Sequence, residues 1–116
     1  MNQEYIKIVI LLLILDFIWI TFFFGNTFSR MIEQVQGSKM QINLFGMIIA
    51  YIILALFAIF IIPKTENVYE AFLAGFLTYA IYDSTNYATL KNWNPTIAIM
   101  DSLWGGILFS IIKYFV

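Results

Sequence analysis

The sequence has 116 residues, of which 62% are hydrophobic and 11% charged, with a formal net charge of −1. A soluble domain carries about 25% charged residues, so this composition is that of an all-α integral membrane protein, and its charge points neither to nucleic acid nor to an anionic membrane surface. Neither cysteine nor histidine occurs, which excludes disulfides, Cys/His zinc centres, histidine-ligated haem and any Ser–His or Cys–His nucleophile.

A helix crosses the hydrocarbon core with about 20 mainly apolar residues. The first such stretch runs from Tyr5 to Phe24. It is span-length, carries Asp16 and has no small-residue cleavage site after it, so it is expected to be a retained helix rather than a signal peptide. "NTFSRMIEQVQG" follows, with Phe28, Met31, Ile32 and Val35 spaced i, i+3, i+4, i+7 and Arg30, Glu33, Gln34 and Gln36 on other faces. This pattern predicts a short amphipathic helix over Thr27–Gln36, lying at the membrane surface and ended by Gly37.

The second span is expected from Ile42 to Ile62, closed by Pro63, which continues a helix only at a cost. The third runs from Tyr69 to Leu90 and the fourth from Pro95 to Tyr114. Asn94 and Pro95 suit the N-cap and first helical position of the fourth. The short connection makes spans three and four antiparallel neighbours. Four spans in one domain, residues 1–116, place both termini on one side. Lysine and arginine are balanced across the two faces, so the orientation is not set.

Three aspartates fall inside spans. At about 1.5 Å of rise per residue, Asp16 lies about 16 Å from the N-terminal side and Asp83 about 21 Å. Asp101 lies about 9 Å from the opposite side, hence also about 21 Å across a core about 30 Å thick. Each mid-span aspartate costs roughly 2.5–3.5 kcal/mol on insertion scales, whereas an interhelical hydrogen bond averages about 0.6 kcal/mol. Cheaper residues would serve as glue, so a shared polar site is expected.

The pattern around the acids supports that site. Asp16 and Trp19, and again Asp101 and Trp104, form D-x-x-W, which sets an indole beside a carboxyl on one helix face. Tyr79, Asp83 and Asn86 form a stripe on the third span, with Tyr82 close to Asn86. Trp93, at a span end, suits an interfacial aromatic belt. The second span contributes no charge, and no lysine or arginine shares the depth of the acids. Carboxyls gathered in a low dielectric resist ionisation, so they are expected to share protons or to hold a cation or amine from outside. No cofactor or metal is specified by these residues.

Small residues mark packing ridges: Ala98, Ser102, Gly106 and Ser110, with Gly105 alongside, on the fourth span, and Ala71, Ala74, Gly75 and Thr78 on the third. Such ridges allow close helix approach within the chain or in a homo-oligomer, with the lipid bilayer as the surrounding partner.

The segments "LDFIW", "YAIYDSTNYATLKNW" and "MDSLWGG" resemble, in order, the three signature segments of a family of membrane proteins in bacteria and some large DNA viruses, domain of unknown function 2177. The pattern Y-D-x-T-N-x-A-T-L-x-x-W is met at Tyr82, Asp83, Thr85, Asn86, Ala88, Thr89, Leu90 and Trp93. The resemblance implies a four-helix membrane fold and picks out the same polar residues, but brings no activity with it. Three readings stay open: a site that binds or translocates a proton, cation or amine-bearing solute; a structural component of a viral envelope or larger complex; and an enzyme acting on a lipid with carboxyls as acid, base or metal ligands.

Overall fold

Helix starts and stops are written in short polar segments, and the computed structural model, which describes residues 3–116, follows them closely. Helix α1 spans Gln3–Trp19 and passes through a π-helical turn, Ile20–Phe24, directly into α2, Gly25–Gln36. The expected break between span and amphipathic helix is therefore not a loop. The Gly25 amide donates to the Ile20 carbonyl five residues back, and a Cβ at position 25 would collide with that same oxygen. Glycine thus lets the chain stay helical while it widens by one residue. Gly37 ends α2 with φ 75°, the left-handed conformation that favours glycine.

Asn43 caps α3 (Leu44–Ile61) by accepting from the Gly46 amide. A 3-10 turn over Ile62–Lys64 contains Pro63 and stops it. Asn67 caps α4 (Val68–Thr89), and Asn94 caps α5 (Pro95–Phe115) through the amides of Thr96 and Ile97 at 2.8 and 3.2 Å. Between α4 and α5, Asn92 adopts φ 69°, a left-handed turn conformation that asparagine tolerates better than most residues.

α4 and α5 form a close antiparallel pair, with Val68 beside Ser110, Gly75 beside Gly105 and Asp83 beside Asp101. Gly75 and Gly105 bring the two backbones together: a Cβ at Gly105 would lie 2.7 Å from the Gly75 carbonyl, and one at Gly75 would lie 2.8 Å from the Phe109 Cβ. Gly106 instead faces the ring of Phe72. α1 packs on α5 and on α3, while α3 and α4 make no extensive contact.

The half of the bundle that holds the start of α1 and the end of α5 is a closed apolar core. Ile8, Leu12, Ala58, Ile62, Ala71, Leu108, Phe109 and Ile112 are buried together there. Lys113 closes that end by donating to the Thr65 carbonyl at 2.7 Å.

By length and composition, Gln3–Gln36, Leu44–Lys64 and Pro95–Phe115 can cross a membrane. α4, with 22 residues, covers roughly 33 Å, but Asp83, Ser84, Thr85 and Asn86 make its second half too polar to qualify by hydropathy. We propose that it crosses nonetheless, with Asp83 buried beside Asp101 of α5 and the Ser84 hydroxyl bonded back to the Ile81 carbonyl of its own helix. Single-cysteine variants at Glu66 and Lys91 are then labelled from opposite sides of the membrane; labelling from the same side rules out the fourth crossing. A second test concerns the glycine contact. Gly75→Ala forces apart two backbones and should cost about 1–3 kcal/mol through overpacking, seen as a lowered Tm, whereas Gly106→Ala meets only a ring that can swing and should cost less.

Candidate functional site

The three aspartates occupy three different environments. Asp16, 6% exposed, faces the junction of α1, α3 and α5. Its Oδ2 accepts from the Tyr51 hydroxyl, and its Oδ1 accepts from the Trp104 indole N–H at 3.0 Å. Two neutral donors from two other helices thus satisfy this carboxyl. The indole rings of Trp19 and Trp104 stack at 4.8 Å between centroids, 8° from parallel, and extend the join between α1 and α5.

Asp83 is 1% exposed. Its polar neighbours are the Asp101 carboxyl and the Trp93 indole. Both lie close enough to interact, yet neither meets hydrogen-bond geometry: both Asp83 oxygens and the Trp93 Nε1 are buried without a hydrogen bond among the described residues. Asp101 is half-buried. One side of it faces Asp83 and the other opens onto a cavity.

That cavity, of about 600 Å³, fills the gap between α3 and α4 in the half of the bundle away from the apolar core. Its polar or aromatic walls are Asp16, Trp19, Tyr51, Thr78, Tyr79, Tyr82 and Asp101, joined by Phe24 and Phe28. Met40, Ile42, Met47, Ala50 and Leu54 supply much of the apolar remainder. No lysine or arginine is among the lining residues. Tyr79 stands within electrostatic reach of Asp16, Asp83, Asp101 and Tyr51, at the centre of the group. Among the described residues, no three carboxylates gather as a metal site would require.

The other residues singled out in the sequence are placed as follows. Trp93 is no interfacial anchor: it is 4% exposed, with Phe28 and Tyr82 edge-on at 6.0 Å, because the left-handed turn at Asn92 folds it under α2. α2 turns part of its apolar face onto the protein. Met31 is buried and its sulfur accepts from the Asn94 amide at 3.3 Å, while Asn92 donates to the Gln34 carbonyl at 3.2 Å, so the helix is docked on the α4–α5 turn. Asn86 is half-buried beside Tyr82 and does not line the cavity. The second span, which carries no charge, contributes the Tyr51 hydroxyl to Asp16; a lone tyrosine at mid-span was the signal available for it. Ser102 is buried and spends its hydroxyl on the Ala98 carbonyl within its own helix.

An all-helical, multi-pass membrane protein with an acid-lined cavity between its helices is thus defined. The chain belongs to the family described as predicted membrane protein (DUF2177), which it matches over residues 1–115. No curated protein and no solved structure matches it.

The bond between Tyr51 and Asp16 can be tested by stability. Tyr51→Phe keeps the ring and leaves a buried carboxylate oxygen without its donor, which should cost about 1–3 kcal/mol. Thermal denaturation in detergent should show a clear drop in Tm; an unchanged Tm contradicts the role given to Tyr51.

Proposed function

We propose that the protein binds a solute carrying a positive charge on an apolar body, and that Asp101 is the residue that meets the charge. The observation that carries this reading is the cavity itself: aromatic and aliphatic walls, the carboxyl groups of Asp16 and Asp101 among them, and no basic residue in the lining. Its volume of about 600 Å³ lies within the roughly 300–1,000 Å³ of small-molecule sites. Apolar surface takes the body of such a solute by the hydrophobic effect. The rings of Tyr79 and Tyr82 attract a cation by their quadrupoles, most strongly where water is excluded.

The acids divide this work unequally. Asp16 already holds two donors, which supports a structural role: it ties α1 to α3 and α5. Asp101 has no such pair and faces the cavity, so it is the carboxyl left to pair with an incoming cation. A purely structural reading covers Asp16 well and leaves the acid-lined gap without an explanation.

Tetraphenylphosphonium, a bulky apolar cation, is a suitable probe. The purified protein in neutral detergent should bind it, and Asp101→Asn should weaken binding by roughly 10–100-fold, the equivalent of about 1.5–3 kcal/mol for an interaction with a charged group. Equal affinity in the two proteins, or none in either, removes the reading.

A further inference from the structure

We propose that Asp83 and Asp101 hold one proton between them, and that a cation entering the cavity displaces it, so that the site exchanges a cation for a proton. The inference rests on the cavity being a cation site and adds what that site does with its charge.

Asp83 is 1% exposed, with both oxygens buried and without a hydrogen-bond donor among the described residues. Buried polar atoms in native proteins nearly always have a partner. An ionised carboxylate can only accept, and one of the two polar groups facing Asp83 is another carboxyl, that of Asp101. Two ionised carboxylates side by side offer each other nothing and repel. One proton on the pair turns a member into a hydroxyl donor and gives the other a bond to accept. Two carboxyls sharing one proton is the established solution for such a pair. The Trp93 N–H, also buried and unpaired, is the further donor within reach.

The surroundings keep that proton in place while the cavity is empty. The titratable groups that face Asp101 are Asp83 and Tyr82 from α4 and Asp16 from α1; Tyr79 and Tyr51 stand beside them. All are acids or phenols, and none brings positive charge.

The exchange follows from position. Asp83 is sealed behind the helix pair, while Asp101 lines the cavity. A cation seated against Asp101 supplies the positive charge the proton had supplied. The O–H bond of the pair then breaks and the proton leaves through the cavity to water; the cation offsets the repulsion by pairing with Asp101, and Asp83 is left with the Trp93 N–H as its donor. Charge balances: one positive charge enters and one leaves.

Tetraphenylphosphonium has no titratable proton of its own, so any proton released on its binding comes from the protein. In weakly buffered detergent solution with a pH indicator, about one proton should appear per cation bound, and Asp83→Asn should abolish that release per cation bound. Infrared difference spectroscopy supplies a measurement that needs no variant and no ligand: the unaltered protein at neutral pH should show a protonated-carboxyl band that disappears on saturation with the cation. Cation binding with no proton released, or no such band in the ligand-free protein, overturns the exchange while leaving the cation site intact. A band that is present in a protein that binds no cation overturns the cation site, and the exchange with it. Asp83→Asn protein that still releases a full proton per bound cation overturns the assignment to this pair.

Discussion

A carboxylate inside a bilayer must find donors, and Asp16 finds them on two other helices. Most of this architecture depends on that bond set. α3 is apolar on nearly every face, and much of its surface is exposed to the surroundings of the bundle, from Ile48 and Ile49 to Leu56 and Phe60. Lipid tails are as apolar as these side chains, so burial alone gives such a helix little preference for one rotation over another. The Tyr51 hydroxyl supplies the preference. Its bond to Asp16 turns one face of α3 toward α1, and Trp104 ties the same carboxyl to α5. Held this way, α3 leans on α1 and leaves a gap beside α4.

The gap exists on one half of the bundle because the other half is filled. Toward the chain termini, Ala58 and Ala71 let α3 and α4 share an apolar core with Ile8, Leu12 and Phe109. Toward the other end the small residues give way to Met47, Tyr51, Tyr79 and Tyr82, and the helices stand apart around the cavity. The π-helical turn and α2 form the neighbouring wall, with Phe24, Gly25 and Phe28 on it. Close approach at Gly75 and Gly105 fixes the α4–α5 register, and Asp83, about two turns along α4, comes beside Asp101, about one turn from Gly105 on α5. One glycine contact and one carboxylate clasp thus determine where the acids stand and which of them meets the cavity.

Much of this was legible in the sequence, and the boundary of legibility has a physical form. Caps are local chemistry, so Asn94–Pro95, Pro63 and Gly37 announced their turns correctly. Helix depth is a matter of counting residues, and counting placed the three aspartates at similar heights. Rotation about each helix axis is different, because it depends on partners far along the chain. Depth alone therefore could not tell that Asp16 is bonded, Asp83 sealed and Asp101 open. Tyr51 went unread for the same reason: a tyrosine in an apolar helix carries no mark of the carboxylate it will meet 35 residues away. Trp93 was misread because a tryptophan at a helix end ordinarily marks the interface, and the left-handed residue that turns it inward is an asparagine rather than a glycine. The first span was expected to end at Phe24, whereas the π-helical turn at Gly25 carries the helix onward, which no local signal announces.

The central claim is that the gap between α3 and α4 receives a cation against Asp101. Tetraphenylarsonium has the shape and charge of the phosphonium probe and carries an anomalous scatterer, so crystals grown with it report the position of the cation directly. The account predicts an arsenic peak inside the cavity, among the rings of Trp19, Tyr79 and Tyr82 and beside the Asp101 carboxyl. Arsenic found only on the outer, lipid-facing surface of the helices, with the cavity holding none, would contradict it.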